Sequence, residues 1–293
     1  MTAQGVNAGQ GAASELVTRF APSPTGRLHL GHAYSAVLAH DLAARRGGRF
    51  LLRIEDIDGT RSRPEHVETL LADLRWLGLE WEGPVFQSRR LPLYAAALER
   101  LKSRGLVYPC FCTRAEIAAA SAAAPHGPEP VYPGTCRGLP DPDLTRLHCW
   151  RLDMAKALST ADVDLCWHDE HAGRVQADPA AQGDVILARK DAPASYHLAV
   201  TVDDAGQGVT EVIRGVDLFA ATHVHRLLQA LLDLPTPHYH HHPLLLDLDG
   251  ERLAKRHGSP TLAAMREAGV DGIALAHGLR RGRLPTGIRT ASA

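Results

Sequence analysis

Arg19-Phe20-Ala21-Pro22-Ser23-Pro24-Thr25-Gly26-Arg27-Leu28-His29-Leu30-Gly31-His32 joins a short apolar strand, residues 17–21, through a Pro/Gly-rich turn to an Ala/Leu-rich helix over 33–46. Tyr34, Val37, Leu38 and Leu42 form one face of that helix, and Gly47 is its stop. The first turn of such a helix presents unpaired N–H groups and the positive end of its dipole to the preceding loop, so phosphate is the natural occupant. His29 and His32 add two ring donors, and Gly31 leaves room for adenine or ribose to approach the backbone. Taken alone, His-x-Gly-His also fits a capping histidine beside a turn glycine; the longer run is what specifies a nucleotide site.

Working outward, residues 49–54 read as a buried strand ending in Glu55-Asp56-Ile57-Asp58. Strand, helix, strand over this span is a βαβ unit. Its right-handed crossover makes the strands parallel and puts Glu55 at a carboxyl end, where ligands bind in open α/β sheets. Asp56 and Asp58 fit turn caps equally well. Ser62-Arg63-Pro64-Glu65 has the pattern of a capping box and opens a helix striped by Val67, Leu70, Leu71, Leu74 and Leu77. A second amphipathic helix spans 91–104, with Leu91, Tyr94, Leu98 and Leu101 inward.

At 293 residues the chain can bury one large domain, or a domain with an insertion. With 32 basic and 33 acidic residues the net charge is −1, so no global positive field marks a non-specific nucleic-acid binder, and any RNA contact must be a local patch. Nothing in the sequence approaches a membrane span, and the Gly/Ala-rich start lacks the apolar stretch of a signal peptide. A cytoplasmic monomer is expected. Five cysteines, three of them in Cys110-Phe111-Cys112 and Cys136, point to a reducing compartment and a metal rather than disulfides. The Ala/Pro/Gly-rich stretch between them has little core of its own and would benefit from a Zn2+ staple. Chemistry alone leaves the fourth ligand open among Cys149, His126 and His148, and leaves open three buried thiols without metal.

Strands are expected again over 185–189, 196–204 and 209–214, the last two as nearly continuous apolar runs of a sheet covered on both faces. Tyr196 and Arg214 interrupt that apolarity at strand ends, which makes them site candidates. A helix follows Asp217. His238-Tyr239-His240-His241-His242 cannot converge as a whole on one ion from an extended segment, so one histidine is expected near the nucleotide and the others in solvent. Residues 244–247 read as a strand and 248–251 as a turn, delivering the basic loop Arg252-Leu253-Ala254-Lys255-Arg256-His257-Gly258. Beyond Asp271 a frayed basic tail is expected.

Arg-Phe-Ala-Pro-Ser-Pro-Thr-Gly followed by His-Leu-Gly-His resembles the nucleotide-binding signature of class I glutamyl-tRNA synthetases, and the likeness continues with gaps from about Val17 to about Gly272. The shortness of the chain is most similar to their truncated relatives, the glutamyl-Q tRNA(Asp) synthetase family. The resemblance implies an α/β class I aminoacyl-tRNA synthetase Rossmann-like catalytic domain with an inserted zinc-containing acceptor-binding-like region and no anticodon-binding domain. Its divisions would be 1–16 flexible, 17–107 and 183–272 the two catalytic halves, 108–182 the insertion and 273–293 the tail.

The same resemblance implies residue roles. Arg19, Ala21, Ser23, Glu55, Tyr196 and Arg214 would bind L-glutamate, with Glu55 at the ammonium group. Two arginine forks suit the substrate's two carboxylates. His29, Gly31, His32 and Lys255 would bind ATP with Mg2+, and His29, His32 and Lys255 would stabilise the transition state. Lys255 matches the second lysine of the Lys-Met-Ser-Lys-Ser signature, whose first lysine and serine are Arg252 and Ala254 here. Tyr132, four residues before Cys136, matches the family's fourth zinc ligand beside Cys110, Cys112 and Cys136. The implied reaction is attack of the α-carboxylate on the α-phosphorus of ATP, then transfer of glutamate to the queuosine base in the anticodon of tRNA(Asp). The competing readings are a short synthetase that charges a tRNA 3′ end and a catalytically dead RNA-binding module.

Overall fold

The computed structural model describes residues 15–291 apart from 114, 118–130, 162, 252 and 254–259. The expectations for the N-terminal segment, His126, and the loop carrying Arg252, Ala254 and Lys255 therefore lie outside the described residues. In chain order the elements are β1 (Val17–Phe20), α1 (Leu30–Arg45), β2 (Arg49–Ile54), α2 (Pro64–Trp76), β3 (Glu82–Phe86), α3 (Leu91–Ser103), β4 (Val107–Cys110), β5 (Cys149–Leu152) and α4 (Met154–Thr160). They continue as β6 (Cys166–Asp169), β7 (Gly173–Gln176), β8 (Ile186–Ala188), α5 (Tyr196–Gly206), β9 (Glu211–Gly215), α6 (Phe219–Leu231), β10 (His238–His242), β11 (Leu245–Leu246), α7 (Leu262–Glu267), α8 (Gly272–Arg280) and β12 (Arg289–Thr290).

The parallel strands β1, β2 and β3 are hydrogen-bonded in the order β1-β2-β3, and a second sheet runs β7-β6-β10-β9. The Thr210 amide donates to the Val17 carbonyl at 2.9 Å and the Val17 amide donates to Thr210 Oγ1, so β9 lies beside β1. The chain thus winds one way from β1 through β2 to β3 and the other way through β9 to β10. Such a reversal opens a crevice at the carboxyl ends of the two central strands. All four residues of β1 and five of six in β2 are buried, as strands covered on both faces require.

α1 begins at Leu30, three residues before the expected start, because His29 caps it: His29 Nδ1 accepts the Gly31 amide at 3.1 Å and His32 Nδ1 accepts the His29 amide at 3.2 Å. The most deeply buried face is Ala33, Ala36, Val37, Ala39 and Ala43, while Tyr34, Leu38 and Leu42 flank it half-buried. Alanines let the helix axis approach the sheet closely, which a Leu stripe would prevent. After the helix, Gly47 takes φ 62°, a left-handed conformation natural to glycine at a helix end. α2 starts at Pro64 as its sequence suggests, but the Ser62 hydroxyl makes no cap bond there, so the capping box is not formed.

Two larger expectations are corrected. Residues 196–204 are not a strand but the body of α5. A run apolar on all sides fits a buried helix as well as a buried strand, and Ser195 decides between them by accepting the Leu198 amide as an N-cap. The far end of α5 is held by charge. Asp203 accepts hydrogen bonds from Gln87, Arg90 and Tyr94 at 2.6–2.8 Å. Asp204 accepts from Arg19 Nε at 3.1 Å and Arg53 Nη1 at 2.8 Å, with both arginines buried. The strand expected over 185–189 is β8, paired antiparallel to β5 in a separate sheet β4-β5-β8 rather than in the main one.

The second correction concerns the end of the chain, where a frayed tail was expected. Instead α8 is capped by Asp271 and buries Ala276 and Leu279 against α1, and β12 pairs with β11. Gly272 is packed so that an added Cβ would lie 2.3 Å from the Trp76 carbonyl oxygen, which locks α8 onto the end of α2.

Because Asp204 is the shared partner of two buried guanidiniums, Asp204→Ala should destabilise the protein by about 3–5 kcal/mol in urea unfolding. A loss below about 1 kcal/mol, the range of exposed ion pairs, would contradict this role.

Candidate active site

The crevice at the carboxyl ends of β1 and β9 holds a cavity of about 400 Å³. Arg19, Ala21, Ser23, His29, Gly31, His32, Glu55, Tyr196 and Arg214 all line it. Residues far apart in sequence are therefore brought to one surface: β1 and its following loop, the first turn of α1, the end of β2, the start of α5 and the end of β9.

The nucleotide side is built by the α1 cap. Since Nδ1 of His29 and of His32 each accepts a backbone amide, each neutral ring carries its proton on Nε2. The rings lie 3.8 Å apart between centroids. Two ring donors and the amides of a helix N-terminus are thus gathered at one wall, a setting for an anion. Gly31 serves this cap: a Cβ there would meet the His29 ring at 3.0 Å. Its need for space is toward the capping imidazole.

The opposite wall is cationic. Arg19 is buried, but its Nε and Nη2 are turned to the Asp204 carboxylate at 3.1 and 3.4 Å, and Nη1 lies 3.5 Å from the Ile213 carbonyl. Its bidentate edge is therefore already used. Arg214, equally buried, donates to His241 Nε2 at 3.1 Å, Tyr196 Oη at 3.1 Å and Thr222 Oγ1 at 2.5 Å. Among the described residues none of its hydrogen-bond partners is a carboxylate. A buried guanidinium with neutral partners is poised for an incoming anion.

Its neighbours keep that charge single. Burial, then Arg214 itself, holds His197 and His241 down to about 4, and the same causes hold His225 well below the ordinary histidine range. All three are neutral near pH 7. His241 Nδ1 donates to Asp169 Oδ2 at 2.7 Å, which leaves Nε2 as an acceptor for Arg214. Asp169, His241 and Thr222 thus orient the guanidinium from β6, β10 and α6. These residues were missed from sequence; the signal available was the two-residue period of 238–242, which puts His241 beside Tyr239 on the inner face.

The expectation that all but one of those histidines are solvated is corrected, because both faces of β10 are covered at its carboxyl end. His241 and His242 are buried, with His242 Nε2 2.7 Å from Ser35 Oγ at the cavity. Among the described residues Glu55 is one of two carboxylate side chains lining the cavity, with Asp217, and lies 3.8 Å from Arg53. Burial raises its carboxyl to about 7, against the pull of Arg53 and Arg19.

Away from the cavity, Cys112 Sγ lies 3.5 Å from Cys136 Sγ, and Tyr132 Oη lies 3.3 Å from Cys110 Sγ and 3.6 Å from Cys112 Sγ. Ligand atoms around tetrahedral zinc with bonds of about 2.3 Å to sulfur stand roughly 3.5–3.8 Å apart, so this donor set fits such an ion. Hydrogen bonds from Cys149, then Tyr132 and Arg151, pull the Cys110 thiol down to about 4, whereas burial pushes the Cys112 thiol up to about 11. Cys149 itself points its sulfur at the Cys110 carbonyl, 3.5 Å away, and the His148 ring sits between Phe111, tilted at 54°, and Trp150, edge-on at 83°. Cys110, Cys112 and Cys136 form a group able to hold a metal ion.

A doubly wound parallel sheet, a histidine-capped helix facing its crevice and a buried arginine opposite define a nucleotide-dependent enzyme fold, and the comparisons specify which. The model of the tRNA synthetases class I (E and Q), catalytic domain, matches residues 15–290, and the chain belongs to that family. It is 53% identical over 271 residues to the glutamyl-Q tRNA(Asp) synthetase of Rhodobacter capsulatus, covering 87% of this chain and 96% of that protein. It is 47% identical over 267 residues to the protein of the same name from Symbiobacterium thermophilum, covering 87% and 82%. The crystal structure of a glutamate-tRNA synthetase from Elizabethkingia anophelis superposes with a TM-score of 0.71 at 27% identity. The match covers 85% of this chain and 55% of that one, so this chain spans about half the length of that solved relative.

Proposed function

We propose that the chain activates L-glutamate with ATP to glutamyl-adenylate and transfers the glutamyl group to the queuosine base in the anticodon of tRNA(Asp). One observation carries the activation step: a single cavity joins the histidine-capped N-terminus of α1 to a buried Arg214 whose partners are neutral. The first suits a triphosphate and the second a carboxylate of the amino acid.

In this reading Arg214 takes the side-chain carboxylate, oriented by Tyr196, His241 and Thr222. Glutamine, with a neutral amide, would leave the arginine buried without an anion, and is rejected for that reason. Glu55 receives the ammonium group, and Ala21 and Ser23 line the same cavity. Arg19, tied to Asp204, offers the positive field that draws the α-carboxylate inward.

The α-carboxylate is already ionised, so its in-line attack on the α-phosphorus needs no general base. It forms the C–O–P bond of the adenylate as the bond to pyrophosphate breaks. Catalysis is then positioning and charge stabilisation, by the Nε2–H groups of His29 and His32 and by Lys255, with Mg2+ on the phosphates. Cys110, Cys112, Cys136 and Tyr132 hold a structural Zn2+ in residues 108–182, the region assigned to contact the acceptor RNA. The name of the Rhodobacter capsulatus relative, 53% identical over 96% of that protein, supports queuosine-containing tRNA(Asp) as that acceptor.

Glu55 gives the amino-acid step a pH signature. Below pH 7 its carboxyl is neutral and loses its attraction for the ammonium group; above pH 7 it is ionised and binds. KM for glutamate in ATP–pyrophosphate exchange should therefore rise as pH falls through 7, approaching about tenfold per unit, while Glu55→Gln should show a high and flat KM. A wild-type KM unchanged from about pH 8 to about pH 5.5 would contradict the assignment.

The acceptor is tested by transferring radiolabelled glutamate, with ATP and Mg2+, onto total tRNA from cells with and without queuosine synthesis. Label confined to queuosine-containing tRNA(Asp) is the expected result. Equal labelling of tRNA(Glu) from both sources would make the chain a 3′-end synthetase and leave the activation chemistry standing.

A further inference from the structure

The His-rich strand β10 carries a second arrangement that the reaction above does not use. Extended backbone sends alternate side chains to opposite faces. His241 and Tyr239 point inward, whereas His238 and His240 share the other face with Glu211, since His238 pairs with Glu211 in the β9–β10 register. His168 and Glu170 arrive on the same side from β6, in which Asp169 pairs with Tyr239.

Ligand atoms converge there. Glu211 Oε2 is 2.6 Å from His240 Nε2 and 3.1 Å from His238 Nδ1, and those two ring nitrogens are 3.2 Å apart. A Glu170 carboxylate oxygen also lies within 4.8 Å of both histidines. His168 Nδ1 stands 2.5 Å from His238 Nε2, engaging the other side of that ring. The separations of 3.1 and 3.2 Å are near the roughly 3.3 Å edge of a tetrahedron around an ion with bonds of about 2.0–2.1 Å; the 2.6 Å Glu211–His240 pair is a hydrogen bond that would open toward that edge as an ion replaces its proton.

Imidazole and carboxylate together suit the later divalent first-row ions, Co2+ through Zn2+. The ligands are half-buried or exposed, so an ion can enter without opening the core. The carrying observation is this triangle of donors from two adjacent strands, with Glu170 supplied by a third.

We propose that His238, His240 and Glu211, with Glu170 as a further ligand, form a binding site for a divalent transition-metal ion. It lies toward the amino-terminal end of β9 and β10, whose carboxyl ends line the reaction cavity, and uses none of the Cys110 group. An ion there ties β9 and β10 to the residue that follows β6. The binding is a property of these side chains and does not depend on which acceptor the enzyme uses.

The test is calorimetric titration of the untagged full chain with Ni2+, beside a His238→Ala/His240→Ala variant shown by circular dichroism and metal-free thermal unfolding to keep its fold. Wild type should take up one Ni2+ per chain at this site, without the near-ultraviolet thiolate-to-metal absorption that binding at the cysteine group would produce. The double variant should lose at least tenfold in affinity, and Glu211→Gln should weaken it as well. No saturable Ni2+ binding by wild type, binding unchanged in the double variant, or binding accompanied only by thiolate absorption would each overturn the proposal.

Discussion

Asp204 is the constraint on which the site depends. It is a buried carboxylate on α5 held between the guanidiniums of Arg19 on β1 and Arg53 on β2. In a low-dielectric interior these charges are tolerable only together, so α5 must dock at this depth and in this rotation. That docking brings the first residue of α5, Tyr196, against Arg214. It also decides what each arginine can do: Arg19 has its bidentate edge on a protein carboxylate, and Arg214 is the buried cation surrounded by neutral acceptors. The division of labour between two arginines, invisible in sequence, follows from one aspartate.

The cavity then combines two kinds of preorganisation. At the wall built by α1, backbone amides fix both the tautomer and the direction of His29 and His32, in keeping with the phosphate placement proposed above. At the opposite wall, Asp169 fixes the tautomer of His241, which in turn fixes the plane of Arg214. Depressed histidine basicity around Arg214 has the same sense, because neutral rings accept from the arginine where charged ones would repel it. Glu55 is the complementary case: burial makes its negative charge costly until an ammonium group arrives to share it.

Much of the framework was legible because local signals agreed with tertiary demands. The β1–α1–β2 unit has a strand, a capped helix start, a glycine stop and a second apolar strand in order, and the carboxyl-end position of Glu55 follows from its topology. α5 differs from the expected strand because residues 198–202 form a short, nearly all-apolar run that fits either element; the Ser195 cap distinguishes helix from strand, and Asp203 and Asp204 reveal their purpose once Arg53, Arg90 and Tyr94 are placed. α8 was missed because its stabilisation comes from α1 and Trp76, elements distant in sequence. For the site, motif residues that touch ligand positions could be named, whereas Asp169, Thr222 and His241 act through Arg214 and meet only in three dimensions. The histidine run shows the same limit: alternation assigns faces, but which face is core and which carries Glu211 and Glu170 depends on strand order.

The most direct test is a crystal structure with L-glutamate and a non-hydrolysable ATP analogue. The account requires the side-chain carboxylate on Arg214, the ammonium group at Glu55, and the phosphates against the N-terminus of α1 within hydrogen-bond reach of His29 and His32 Nε2. Glutamate bound elsewhere, or a triphosphate running away from that helix end, would contradict it.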